Sequence, residues 1–261
     1  MRPEMSQLSP PGPGAEPCLS VVVPVRNEAP NVEPLLAEIE AACAPLGAFE
    51  AIYVDDGSTD DTPAVLARAA LTRPWLRLLR HAESCGQSAA VRSGVRAARA
   101  PIVVTLDGDG QNDPAFIPAL MAALERGGPA TGLAAGQRVG RKDGDWKRVQ
   151  SRVANRVRAA VLKDATRDTG CGLKAFRRDV YLALPYFDAL HRFMPALTAR
   201  EGFAVTHVDV VDRPRRAGQS NYGFFDRLWV GILDLMGVWW LIRRRRRVPR
   251  IEAAPAAREV A

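Results

Sequence analysis

Short apolar runs alternate with longer amphipathic stretches through the first half of the chain. Leu19 to Val25 is a β-branched run that stops at Arg26, and from Asn31 the positions Leu35, Leu36 and Ile39 fall on one helical face. Ala51 to Val54 leads into Asp55-Asp56-Gly57-Ser58, with Asp60 and Asp61 placed to cap a helix holding Val65 and Leu66. Leu76 to Leu79 precedes a helix over about Gln87 to Ala98, and Ile102 to Leu106 runs into Asp107-Gly108-Asp109. Pro114 starts a helix reaching about Glu125, and Asp145 to Ala160 carries Val149, Val153 and Val157 in one stripe; Leu133–Arg138 and Val205–Val211 read as further strands. This alternation predicts β-α-β units, an α/β fold with a mostly parallel sheet flanked by helices. Polar and acidic residues cluster where each early strand ends, which is where open α/β sheets bind ligands.

Composition narrows the picture. With 261 residues, 47% hydrophobic and 25% charged, the chain can bury a large core, which excludes fibrous and low-complexity classes. Residues 1–17 are rich in Pro, Gly and Ser and lack the apolar core of a signal peptide, so they read as a disordered leader of a cytoplasmic protein. Residues 18–221 form the main domain, 222–247 an aromatic, amphipathic helix with an Arg cluster, and 248–261 a disordered tail. Four scattered cysteines offer no CxxC pair, so neither a disulfide scaffold nor a zinc site is expected.

The net charge of +7 is unevenly placed. Residues 1–212 hold 25 basic and 25 acidic side chains, whereas residues 213–261 hold 11 and 4. Leu228 to Ile242 is the longest apolar stretch and is interrupted by Asp234, too short for a spanning helix. Its aromatic residues beside Arg243 to Arg247 suit an anionic membrane surface, with packing on the core as the alternative. No nucleic-acid module accompanies the basic run, so no nucleic-acid partner is expected.

The densest chemistry is Asp107-Gly108-Asp109-Gly110-Gln111. Oxygen ligands at this spacing suit a hard cation shared with substrate phosphates. A solvated acidic turn is the alternative, and it is weakened by Asp55-Asp56 on the same predicted edge. A calcium loop fails because Asn112 stands where Gly is needed and Pro118 where Glu is needed. There is no phosphate-binding GxxxxGK[ST] loop, and no Gly-x-Ser-x-Gly turn accompanies His81, His191 and His207, which read as structural.

Pro24-Val25-Arg26-Asn27-Glu28, Val54-Asp55-Asp56-Gly57-Ser58 and Asp107-Gly108-Asp109-Gly110-Gln111 follow one another as in family 2 glycosyltransferases of the GT-A type. Arg213-Pro214-Arg215-Arg216-Ala217-Gly218-Gln219-Ser220 resembles the polyprenyl-phosphate branch of that family, the group of dolichyl-phosphate mannosyltransferase and bacterial undecaprenyl-phosphate sugar transferases. The resemblance runs from about Leu19 to Ile242 and implies a GT-A fold. It also implies an inverting transferase that moves a sugar from GDP-mannose or a UDP-sugar to a polyprenyl phosphate, with Mg²⁺ or Mn²⁺. By this resemblance Pro24, Arg26 and Glu28 line the donor pocket, Asp56 meets the base, and Asp107, Asp109 and Gln111 form the metal set, with Asp107 on the ribose side. Arg138, Arg148 and Arg152 hold the acceptor phosphate, while Arg213 and Ser220 lie on a segment that closes over the diphosphate; the catalytic set is Asp109, Arg138, Arg148, Arg213 and Ser220. Where relatives often carry Lys after that Ser, this chain has Asn221.

The basic block supports a phosphate-bearing acceptor, because residues 138–178 hold 13 basic and 4 acidic side chains and guanidinium forks pair with phosphate oxygens. A phosphate monoester, with a second pKa of about 6, is already anionic near neutrality and needs no strong base. For a sugar hydroxyl acceptor, Asp168 is the candidate base. The expected location is the inner face of the plasma membrane, held peripherally or through a partner membrane protein. The competing readings are a family 2 enzyme acting on a soluble or lipid-linked sugar hydroxyl, and a non-catalytic nucleotide-sugar scaffold.

Overall fold

β1 (Leu19–Val25), rich in valine, and β2 (Phe49–Asp56) are buried on both faces, as the central strands of a sheet covered by helices must be. The computed structural model describes residues 16–139, 158, 161–162, 166–214 and 224–244. It adds β3 (Leu76–His81), β4 (Ile102–Thr105), β5 (Thr131–Arg138), β6 (Lys174–Arg177) and β7 (Ala204–Val210) to a seven-stranded sheet of order β3-β2-β1-β4-β6-β5-β7. All pairings are parallel except those of β6, which runs antiparallel to both β4 and β5.

Alternate residues of the strands feed two apolar layers. Val21 and Val23 pack with Leu35, Leu36 and Ile39 of α1 (Ala29–Cys43), Leu66 of α2 (Thr62–Ala70) and Leu120 and Leu124 of α4 (Ile117–Arg126). Val22, Ile52 and Val54 pack on the other side with Val91 and Val95 of α3 (Gln87–Ala97), Tyr181 of α5 (Arg178–Ala183) and Phe193 and Leu197 of α6 (Leu190–Arg200). α3 lies so close to β1 that a Cβ at Gly94 would stand 2.4 Å from Val22 Cγ1. α7 (Phe224–Arg243) then buries Val238 against this second layer.

The expected parallel core is present, with three differences of detail. α1 begins at Ala29, two residues before Asn31, because Glu28 and Pro30 already supply its start. β6 was not anticipated, since four residues reading Lys-Ala-Phe-Arg carry no apolar run. Nor was α6, whose interior Pro195 imitates a helix breaker. The leader to residue 15, the tail from residue 248 and, except for Arg158, which is helical and buried, the helix expected over Asp145 to Ala160 lie outside the described residues.

Candidate active site

Three loops meet beyond the carboxyl ends of β1, β2 and β4. After β1 the chain turns at Asn27, whose φ of 57° is left-handed; its N–H donates to Ser58 Oγ at 2.9 Å and its Oδ1 accepts from Thr59 N at 2.8 Å. Glu28 N–H donates to Thr62 Oγ1 at 2.9 Å, and Glu28 Oε2 accepts from Asn31 Nδ2 at 2.5 Å. Asp60 accepts from Thr62 N at 3.0 Å and from Ala29 N at 3.4 Å, so it caps the second helix, as its sequence position suggests, and also braces the first.

Asp56 is saturated. Its Oδ1 meets His81 Nδ1 at 2.7 Å and Cys85 N at 2.8 Å, and its Oδ2 meets Ser84 Oγ at 2.8 Å and Gly86 N at 2.9 Å. Burial opposes its charge, yet these four bonds hold its carboxyl below the usual carboxylate range. Asp56 therefore anchors the 84–86 loop that opens α3. The same fold brings Asp56, His81 and Cys85 within 4.8 Å of one another, a grouping that sequence spacing could not show. With both His81 nitrogens engaged, by Asp56 and by Ser93 at 2.9 Å, the trio reads as a hydrogen-bonded brace.

The metal-type loop follows β4. Asp107 N–H donates to Asn112 Oδ1 at 3.0 Å and Gln111 N–H to Asp109 Oδ1 at 3.0 Å, which curls the loop. Gln87 Nε2 donates to Asp107 Oδ1 at 2.7 Å. Gly172 passes directly behind, and a Cβ there would lie 2.4–2.5 Å from the Asp107 carboxylate. Burial, then the neighbouring Asp109, pushes the Asp107 carboxyl up to about 6, with Lys174 and Arg138 opposing.

On the far side, Arg138 at the end of β5 forks onto Asp168, with Nε to Oδ2 at 2.5 Å and Nη2 to Oδ1 at 3.0 Å, and reaches Asp212 Oδ2 at 3.2 Å through Nη1. Asn112 Nδ2 donates to Asp212 Oδ1 at 3.4 Å, which links this ion cluster to the Asp107 loop. Arg213 N–H donates to Gln111 O at 2.9 Å, while its Nη2 reaches Glu38 Oε2 at 2.7 Å and Asn112 O at 3.2 Å.

Of the residues singled out from sequence, Pro24, Glu28, Asp56, Asp107, Asp109, Gln111, Arg138 and Arg213 gather around this edge, and Arg26 stands exposed beside it. Arg148, Arg152 and Ser220 lie outside the described residues. Arg138 was assigned to an acceptor phosphate; here three of its five N–H donors are engaged by Asp168 and Asp212. Arg213 is likewise docked on α1 and the metal-type loop. Sequence reading missed Gln87, Lys174 and His191, as well as the bridging roles of Asn112 and Asp212; only the adjacency of Lys174 to the Gly170-Cys171-Gly172 turn hinted at any of them.

Asp107, Asp109, Asp168 and Asp212 face two fixed cations, Lys174 and Arg138. Carboxylate oxygens are the donors that Mg²⁺ or Mn²⁺ take, so Asp107 and Asp109 fit such an ion.

The sequence profile described as glycosyl transferase family 2 matches residues 20–184. A dodecaprenyl-phosphate galacturonate synthase of Rhizobium johnstonii is 37% identical over 240 residues, covering 88% of this chain and 68% of that protein. An undecaprenyl-phosphate 4-deoxy-4-formamido-L-arabinose transferase of Pseudomonas savastanoi is 35% identical over 207 residues, covering 78% of this chain and 60% of the relative, so this chain spans well under the relative's full length. Among solved structures, a mannosyltransferase from Pyrobaculum calidifontis in complex with GDP-Man and Mn²⁺ superposes with a TM-score of 0.63 at 26% identity, covering 94% of this chain and 69% of that one. Glucosyl-3-phosphoglycerate synthase from Mycobacterium tuberculosis, solved with Mg²⁺ and UDP, gives a TM-score of 0.63 at 21% identity, covering 88% and 81%, which establishes a shared GT-A fold.

Proposed function

Because the chain belongs to glycosyl transferase family 2, we propose that it transfers a sugar from a nucleoside-diphosphate donor to a polyprenyl phosphate. The observation that carries this reading is the meeting of the Asp107/Asp109 loop with the Arg138 cluster across Asn112 and Asp212. It joins a diphosphate-and-metal end to a phosphate-binding end at one edge of the sheet. The lipid-phosphate acceptors named for the Rhizobium and Pseudomonas relatives point the same way.

An acceptor phosphate oxygen forms a bond to the sugar's C1 while the C1–O bond to the diphosphate breaks, its electron pair leaving with the nucleoside diphosphate; attack opposite the leaving group inverts C1. A bound Mg²⁺ or Mn²⁺ supplies positive charge to the departing diphosphate. Asp107 and Asp109 would hold that ion, Gln87 and Asn112 fix the loop, and Arg138, already oriented by Asp168 and Asp212, would orient the incoming phosphate. Asp168 bears on the choice of acceptor. Although burial opposes its charge, the Arg138 fork holds its carboxyl below the usual range, leaving it a weak base. A hydroxyl acceptor needs a stronger base, and an anionic phosphate does not.

Incubating the full chain with a short-chain polyprenyl phosphate, labelled nucleotide sugars and Mg²⁺ or Mn²⁺ tests this reading. The expected product is a glycolipid that partitions into organic solvent and disappears with EDTA. Label found only in water-soluble glycoside, or no metal-dependent product from any donor, overturns it.

We further propose that α7 seats the enzyme on an anionic membrane, at the inner face of the plasma membrane. Its inner side packs through Leu235, Val238, Leu241 and Ile242, while Leu233, Met236 and Trp240 remain 67%, 61% and 53% exposed. Arg243 lies 4.4 Å from the Trp239 ring and Arg244 5.5 Å from the Trp240 ring, so cations accompany the apolar face. Among the described residues no helix is long and apolar enough to cross a membrane. Leu233→Ser with Trp240→Ser is expected to weaken binding to phosphatidylglycerol vesicles about tenfold in sedimentation, as loss of two apolar anchors predicts. Undiminished binding would show that the apolar face of α7 is not the anchor.

A further inference from the structure

Three segments converge on the first turn of α3. Asp56 accepts from Cys85 N at 2.8 Å and from Gly86 N at 2.9 Å, which fixes the chain just before the helix. Ser88 Oγ meets His191 Nδ1 of α6 at 2.8 Å, across 103 residues of sequence, which fixes it just after. Gln87 lies between these two clamps, and its Nε2 donates to Asp107 Oδ1 at 2.7 Å. Gln87, Asp107 and His191 line one cleft beside the metal-type loop. We propose that His191 is a positioning residue for the transfer: through Ser88 it sets the first turn of α3, and through Gln87 on that turn it sets the Asp107 carboxylate. The inference rests on the reading of Asp107 and Asp109 as the pair that holds the metal.

The backbone before His191 carries strain. Ala189 has a φ of 65°, a left-handed conformation that a residue with a Cβ adopts only at a cost. Such strain persists where the surroundings over-determine it, and here Leu190 N–H donates to Phe187 O at 3.2 Å and Arg192 N–H to Ala189 O at 2.9 Å. The turn starts α6 one residue before His191, so the ring that meets Ser88 is delivered by a fixed stretch of chain.

Among the described residues that line the cleft, His191 is the only histidine, which makes proton transfer the competing role. Burial, then Lys174 and Arg192, pushes its imidazole down to about 3, so the ring is neutral and a poor proton acceptor near neutral pH. A neutral imidazole keeps one N–H and one bare nitrogen, and a hydroxyl can bond to either. What His191 supplies is a fixed partner for Ser88. Gln87 needs that support, because its side chain is exposed and water competes for its amide unless the turn beneath it is held.

The test is a double-mutant cycle on the full chain, read by Mn²⁺ affinity from electron paramagnetic resonance and by kcat/KM for glycolipid formation, with the melting temperature of each variant. Gln87→Ala is expected to weaken Mn²⁺ binding about tenfold, as loss of a group that orients a metal ligand does. His191→Leu is expected to weaken it about fivefold, the worth of one hydrogen bond, with kcat/KM falling in parallel. Ser88→Ala removes the same bond with a smaller change of shape and matches it. Because His191 acts through Gln87, His191→Leu adds nothing to Gln87→Ala, where independent roles would multiply to about fiftyfold. His191→Asn stays within about twofold of the wild type, since its amide stands at the position of Nδ1. Unmoved Mn²⁺ affinity in a folded His191→Leu or in Ser88→Ala overturns the inference, and so does a multiplicative double variant or a His191→Asn no better than His191→Leu. The expected pattern in Mn²⁺ affinity from a chain that transfers no sugar upholds the inference and rejects the transfer reading. A chain that binds no Mn²⁺ overturns the inference, whatever it transfers.

Discussion

Asp109→Asn is expected to lower sugar transfer on the order of 10³-fold while circular dichroism shows the fold of the wild type. The stability half of this outcome follows from the loop's own bonding. Asp109 Oδ1 accepts the Gln111 N–H at 3.0 Å, and an amide oxygen accepts the same bond. The activity half follows from charge. An amide removes one of the negative charges that balance a divalent ion, and metal stabilisation of a leaving diphosphate is worth several kcal/mol, with about 1.4 kcal/mol per tenfold in rate. Metal-dependent transfer from a labelled donor, followed with Mn²⁺ titration, is the measurement. Wild-type turnover in this variant would sink the metal assignment.

Gly172→Ala is the second large effect, and it separates stability from function. The added Cβ would stand 2.4 Å from Asp107 Oδ2 and 2.5 Å from its Cγ. The atom in the way is the tip of a side chain, so the fold adapts by turning the carboxylate aside and the melting temperature moves little. Function has no such freedom. A displaced Asp107 loses the Gln87 bond and its place at the metal-type loop, and misplacement of a positioning group by about 1 Å costs on the order of 10²-fold in rate. We expect a drop of that size in kcat/KM together with weaker Mn²⁺ binding. An unaltered Mn²⁺ affinity would show that Asp107 does not need the space Gly172 leaves.

Much of the donor end was legible in sequence because local signals coincide there. Leu19–Val25 and Ala51–Val54 are β-branched runs that end in polar residues, and an open sheet collects such ends along one edge. Asp60 was readable as a cap for the same local reason. The acceptor end was less so. Lys174 is one of 13 basic residues between 138 and 178, and nothing local marks it, or Arg158, as a residue that the fold buries. The burial of Lys174 comes from β6 entering the sheet between β4 and β5, a pairing of segments some 70 residues apart, Thr105 with Lys174. Asn112 drew notice only because it disqualified a calcium loop, yet its side chain ties Asp107 to Asp212 across 100 residues of sequence. The four bonds that saturate Asp56 come from residues 81 to 86, so the aspartate's bracing role became visible only with the loop folded around it.

The reversed direction of β6 gives the two ends of the site different tolerance to change. Parallel strands deliver their residues as the chain leaves the sheet, so whatever follows Asp56 or Asp109 must work from a fixed starting point. β6 delivers Asp168 to Lys174 as the chain arrives, and its ladder with β4 pins Lys174 opposite Thr105 whatever length of chain comes before. The residues that enter β6 therefore keep their register against β4 independently of the connection that precedes them.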